Sequence, residues 1–197
     1  PSTFYPTIER NMKIKSVQVR HAQRSIWGHL AEREKTLPLV TPLDIYSDFR
    51  ETRGSWFWDS GMAVVEIETE EGLTGSGWCE DGCSAISLII ENHLSRLLIG
   101  QDAGEIEGLW DRLFRATLPY GRKGVALHAL SAIDLALWDL AGKAAGKPVY
   151  ELLGGPVKPD IPVYASARHP VGAEKVQAEA KAYVWPLYTS DAADEMQ

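Results

Sequence analysis

The residues of this chain whose types could do chemistry are few, and their spacing decides what each can do. Cys79 and Cys83 are separated by three residues on a predicted strand-to-helix turn. A closed zinc site needs four nitrogen or sulfur ligands, and no histidine stands close enough in sequence to complete one, so the pair is read as two thiols in a reducing cytoplasm. His21 ends a predicted strand and is read as a surface or hydrogen-bonded residue. His93 and His128 fall inside predicted helices with no companion at ligand spacing. Asp134 and Asp139 lie mid-helix beside an apolar stripe, where a carboxylate ordinarily pairs or meets water; they are read as structural rather than catalytic.

The elements that must position these residues begin with a loose lead-in at 1–12 carrying Pro1 and Pro6. Residues 13–22 alternate as a strand, with Val17, Val19 and His21 on one face and Gln18 and Arg20 on the other. Residues 23–60 form a long connection with at most a helical turn near 42–50. They hold Trp27, Tyr46, Phe49, Trp56, Phe57 and Trp58, which is too much aromatic surface for a disordered segment. Residues 62–69 are the clearest strand, alternating Ala63, Val65 and Ile67 with Val64, Glu66 and Glu68. Glu70-Glu71-Gly72 turns the chain into a return strand at 73–80, in which Gly75 and Gly77 predict a bulge or a close backbone approach.

Three helices are predicted next. Residues 84–99 present Ile86, Ile89, Ile90, Leu94, Leu97 and Leu98 on one side. Residues 103–117 follow, with Asp102 and Glu105 spaced as an N-cap and its reciprocal partner. The third is entered through 121–124 and carries a stripe of Ala129, Ala132, Ile133, Ala136, Leu137, Leu140 and Ala144. Gly146-Lys147-Pro148 ends it, because glycine accepts the left-handed cap and proline cannot continue the ladder. Strands followed by helices indicate an α+β domain, a three-stranded antiparallel meander covered on one face.

Composition narrows the function classes. The chain has 197 residues, a net charge of −7 and 45% hydrophobic residues, which is ordinary globular composition. No Lys/Arg cluster suited to nucleic acid or an anionic membrane is present. Apolar runs such as 86–90 are far shorter than the ~20 residues that cross a bilayer. No leader is read at the start, and since Pro1 is not an initiator the N-terminus is expected to be cut as well.

The run Ala-x-Ser-Ala-Ile-Asp-x-Ala-Leu-x-Asp-Leu-x-Gly-Lys beginning at Ala129, then Pro148-Val149-x-x-Leu152-Leu153-Gly154, resembles the signature of the mandelate racemase and muconate lactonizing enzymes of the enolase superfamily. The resemblance implies that 13–155 form the N-terminal capping domain. It also implies that 156–184 begin an α/β barrel, with a strand at 160–167 and a helix at 172–184. A complete barrel takes ~250 residues, so the chain is expected to be the front part of a longer enzyme. Residues 185–197 contain LYTSDAADE, which resembles a translated sequencing adapter, and are expected to be non-native.

The chemistry implied is removal of the proton α to a carboxylate, with Mg²⁺ holding the enediolate and a Lys or His base taking the proton. In the resembled family those groups lie on barrel strands further along, so no catalytic residue and no metal ligand is expected in this chain, and the chain alone is expected to be inert. Within the family the segment TPLDIYSDFRETRGSWF resembles a substrate-covering loop of the acid-sugar dehydratases, which act on an aldonate such as L-rhamnonate. Arg53 matches a substrate-binding arginine, whose planar fork suits vicinal hydroxyls or a carboxylate. His29 is the candidate for a second substrate contact, and Trp56 and Trp58 for an apolar wall over a sugar face. Arg168 and His169 lie just past the first barrel strand and are not assigned. The resemblance further implies a cytoplasmic homo-oligomer acting on a small sugar acid, with no nucleic-acid or membrane partner. A racemase or cycloisomerase would share this cap. A non-catalytic α+β binding or assembly module would not carry an orphan strand-helix unit at 160–184 with an unpaired edge.

Overall fold

The computed structural model describes residues 12–23, 42–47, 61–81 and 84–155, together with helical positions 173, 174, 177, 178 and 181. Three strands, β1 (Ile14–Gln23), β2 (Gly61–Thr69) and β3 (Thr74–Asp81), pair antiparallel in the order β1-β2-β3. β2 lies in the centre, and its alternation buries one face: Ala63, Val65, Ile67 and Thr69 are all 0% exposed, whereas Val64, Glu66 and Glu68 on the other face are half-buried. The register sets Val65 between Val19 and Gly77, so the face bearing Val17, Val19 and His21 is the one that turns to the core. The opposite face carries the ion pairs Arg20–Glu66 (2.6 Å) and Lys15–Glu68 (2.7 Å). The latter holds the Glu68 carboxyl below the ordinary range, first through its hydrogen bond to Lys15.

Gly72 turns the β2–β3 hairpin with φ 82. The buried Thr69 is satisfied there, since the Leu73 N–H donates to its hydroxyl at 3.2 Å and its own N–H donates to the Leu73 carbonyl at 2.9 Å.

One helical layer covers the core face. Its first stretch is α1 (Ala85–Ile89), a π turn (Ile90–Leu94) and α2 (Ser95–Leu98), then α3 (Ile106–Thr117), α4 (Val125–Ala145) and the short α5 (Val149–Leu152). The uniform helix expected at 84–99 is therefore corrected: the wider i→i+5 turn changes the phase so that Ile86, Ile90, Leu94 and Leu98 all reach the interior.

The reading of Asp102 and Glu105 as a reciprocal capping pair is also corrected. Helix α3 starts at Ile106 and Glu105 makes no side-chain cap. The Asp102 carboxylate instead accepts the Gly104 N–H at 2.9 Å and the Met12 N–H at 3.1 Å. That ties the segment before α3 to the start of β1, where the Ile14 N–H also donates to the Gln101 carbonyl at 2.8 Å.

Helix α4 is apolar nearly all round. By length and hydropathy it alone among the described residues would suit a membrane span, which inspection of shorter apolar runs did not anticipate. Its buried positions, from Ala126 through Gly142, face the sheet and neighbouring helices, so it is the core helix of the domain. Gly146 ends it in the left-handed conformation (φ 62), and the Lys147 N–H returns to the Gly142 carbonyl at 2.9 Å.

The close approach anticipated at Gly75 and Gly77 is the contact on which α4 sits. A Cβ at Gly75 would run into the Ala136 carbonyl and Leu140, and one at Gly77 into the Ala132 carbonyl and the Ala136 backbone nitrogen. Of the barrel start expected at 156–184, only Ala173, Glu174, Gln177, Ala178 and Lys181 are described; they are helical and exposed, and the strand expected at 160–167 lies outside the described residues.

Gly77→Ala is therefore expected to destabilise the fold by about 1–3 kcal/mol through overpacking. Gly108→Ala, in α3 where nothing lies within 4 Å of the added carbon, should stabilise it by about 0.5–1 kcal/mol. Denaturant midpoints moving in opposite directions are the check; equal and same-signed shifts would show that the helix-to-strand approach is not limiting.

Candidate functional site

The three strands end abreast at the edge away from the hairpin: Gln23 pairs with Gly61, and Gly61 with Asp81. The two connections 24–60 and 82–83 therefore leave the sheet side by side, on a scaffold whose rigidity comes from the core below. This rim is the candidate functional site. A Cβ at position 61 would meet the His21 imidazole, so the ring packs against Gly61 at this end of the sheet. His21 and Cys79 both stand opposite Ala63, one on each flank, separated at the backbone by two strand spacings of about 5 Å each. That separation does not place them as a thiol–imidazole dyad. Cys79 is a half-buried thiol, and Cys83, the other member of the pair read from sequence, lies outside the described residues.

Ser84 follows 82–83 directly and has φ 57, the one non-glycine residue in the left-handed region among the described residues. It makes no side-chain cap to α1, although its carbonyl accepts the Leu88 N–H at 3.2 Å. Non-glycine residues in this region are held there by their surroundings and cluster at functional loops. No local sequence signal marks it. On the outer face beside the rim, Trp78 is 52% exposed next to Val64.

The remaining residues singled out from sequence fall elsewhere. Arg53, His29, Trp56, Trp58, Arg168 and His169 lie outside the described residues. The turn foreseen near 42–50 is present as a 3-10 helix at Pro42–Ile45, with Ile45 and Tyr46 exposed. His128 is exposed. His93 Nδ1 lies 2.7 Å from the Tyr120 hydroxyl, joining the π turn to the loop before α4, where burial pushes the Tyr120 phenol up. Two grooves, of about 370 Å³ beside Lys143–Val149 and about 190 Å³ beside Thr69–Leu73, lie at the hairpin end and not at the rim. Among the described residues no three His, Cys, Asp or Glu side chains converge to hold a metal ion.

The two mid-helix acids differ in their surroundings. Asp139 accepts the Ser76 N–H at 2.8 Å and pairs with Lys143 at 2.7 Å. Asp134 is half-buried, has no ion-pair or hydrogen-bond partner among the described residues, and is pushed up by desolvation from the ordinary aspartate value. Its carboxyl thus titrates higher in the folded than in the unfolded chain, so the folded state binds the extra proton. Stability is greatest below the unfolded value and falls as pH rises through the interval up to the raised folded one. Asp134→Asn should remove that fall, giving a higher Tm than the parent at neutral pH and nearly the same Tm in acid; thermal melts across pH would contradict this if the two curves stayed parallel.

Comparison with known proteins agrees with this architecture. Residues 57–154 match the family described as mandelate racemase / muconate lactonizing enzyme, N-terminal domain. The L-rhamnonate dehydratase of Saccharopolyspora erythraea is 43% identical over 133 residues, covering 67% of this chain and 34% of that protein. The rhamnonate dehydratase of Gibberella zeae, solved in complex with Mg, superposes with a TM-score of 0.66 at 31% identity, covering 76% of this chain and 38% of that one. A racemase from Streptomyces coelicolor with bound magnesium gives 0.65 at 27% identity, over 87% and 43%. The chain spans about a third of the length of the curated relatives it matches. With a meander, a covering helical layer and the matched signature in one domain, the chain belongs to the mandelate racemase/muconate lactonizing enzyme family of the enolase superfamily, through its N-terminal capping domain.

Proposed function

We propose that this chain is the substrate-capping part of an acid-sugar dehydratase, a hydro-lyase whose complete form removes water from an aldonate such as L-rhamnonate. The observation that carries the reading is the identity to an L-rhamnonate dehydratase over 133 residues. The rim is consistent with it: two loops leave one end of a rigid sheet side by side, the arrangement by which a scaffold presents variable loops to a ligand.

Loss of water from an aldonate begins with the proton α to the carboxylate, and the negative charge that develops must be stabilised. Mg²⁺, when bound, supplies that stabilisation as a Lewis acid. The described residues of this chain do not form a set that fits the ion, so no step is assigned to them through it; its ligands belong to the barrel in this reading. What the chain itself does is exclude water and hold the end of the substrate remote from the reacting carbon. Arg53 fits that role, because a guanidinium offers parallel donors in a fixed plane to a carboxylate or vicinal hydroxyls. His29 is a second candidate on the same connection, and Trp56 and Trp58 could cover a sugar's C–H face. A racemase is the second reading, supported by the similar superposition on the Streptomyces coelicolor enzyme; the connection 24–60, rich in aromatics and carrying Arg53 among its four arginines, favours the sugar acid.

Two outcomes are expected. The 197-residue chain, given Mg²⁺ and a panel of aldonates, produces no 2-keto-3-deoxy acid above blank, and measurable turnover would overturn the assignment of a cap alone. In an enzyme carrying this cap, Arg53→Ala should lower kcat/KM for the preferred aldonate roughly 10- to 100-fold, the loss of a charge-assisted hydrogen bond worth about 1.5–3 kcal/mol. An unchanged value would remove Arg53 from the site.

A further inference from the structure

Among the described residues, strand β3 pairs with β2 on one side only, so its other side is a sheet edge with no neighbouring strand among them. Such an edge presents unpaired N–H and C=O groups that template pairing with another chain, unless something covers them. Here two side chains do. Asp139 Oδ2 accepts the Ser76 N–H at 2.8 Å, Lys143 Nζ donates to the Thr74 carbonyl at 2.8 Å, and the two are joined at 2.7 Å. The pattern is specific. In a parallel ladder, one partner residue donates to the carbonyl of residue i−1 and accepts from the N–H of residue i+1. Thr74 and Ser76 flank Gly75 in that relation, with Lys143 as the donor and Asp139 as the acceptor.

The placement follows from the helix. Asp139 and Lys143 are one turn apart on α4 and share a face, and the contact of Ala136 and Leu140 on Gly75 brings that face against the strand edge.

We propose that Asp139 and Lys143 form a guard on the free edge of β3, standing in for a fourth strand and preventing a second copy of this chain from pairing there. A second copy is the occupant because identical edges can pair across a two-fold axis, and β3 is eight residues long, enough for a stable ladder. In such an antiparallel pair the start of one β3 lies against the end of the other. A guard at Thr74–Ser76 in each copy therefore blocks the pair at both ends.

The test is sedimentation velocity of the full 197-residue chain over a range of concentrations. Asp139→Ala removes the acceptor and is expected to give a species of twice the parent's mass that grows with concentration. Asp139→Asn keeps an acceptor oxygen beside Ser76 and is expected to sediment as the parent does. The proposal is overturned if the two variants behave alike. Amide exchange at low concentration gives a second readout: Asp139→Ala should accelerate exchange at Ser76 while Val65 in the central strand keeps its protection. Equal acceleration at Val65 would instead mean general loosening and would refute the guard.

Discussion

The contact between α4 and β3 sets the geometry of everything else in this domain. Two glycines on the strand and an alanine-lined helix remove the side chains that would hold helix and sheet apart. Interiors are packed closely enough that a single added methylene is felt, so this absence of atoms is itself a specification. It fixes the distance of the helix, and its rotation too, because only one face of α4 carries the backbone surface that fits over positions 75 and 77. Once the rotation is fixed, Leu130, Ile133 and Leu137 are aimed at the rest of the core, and Asp139 and Lys143 at the strand edge.

From that contact the domain acquires two unlike ends. At the hairpin end, polar backbone groups find partners: Thr69 with Leu73, Ile14 with Gln101 and Gly100, Ser76 and Thr74 with α4. At the other end the strands stop in register, where the long connection 24–60 and the short one at 82–83 depart. Binding residues are best placed by a rigid scaffold, and the buried residues Ala63, Val65 and Ile67 of β2 run inward from the rim. Ser84, held left-handed at the start of α1, is where the strain of that departure is visible in the backbone.

How much of this could be read from the chain alone depends on whether the cause was local. The alternation in 62–69, the turn at Gly72 and the stop at Gly146 each depend on neighbours within a few residues, and all three stand where they were placed. Gly75 and Gly77 announced a close approach, though not what approaches. Asp102 was misread because its spacing to Glu105 imitates a capping pair, while its actual second partner, the Met12 N–H, is 90 residues away in sequence. The π turn leaves no mark, since an apolar run of Ile86 to Leu98 fits either phase until the core decides. Ser84 could not have been found, because serine carries no local preference for the left-handed region it occupies. The candidate contacts Arg53 and His29 came from resemblance and lie outside the described residues, so the rim is described by its scaffold rather than by its ligand-facing side chains.

The same scaffold underlies relatives with different chemistries, and this limits where specificity can reside. A rhamnonate dehydratase and a racemase superpose on this chain with nearly the same TM-score, 0.66 and 0.65. The packed features, meander, glycine–alanine contact and capped helix end, therefore cannot distinguish loss of water from inversion at carbon; they answer to stability alone. Discrimination between substrates requires groups whose interaction changes from one ligand to the next, and a core of Ala, Ile, Leu and Val offers none. Under the proposed function it falls to residues that the core supports without containing, those of the connection between Gln23 and Gly61. The interior of this cap thus sets the fold, and under the proposed function the rim is the part left to meet the ligand.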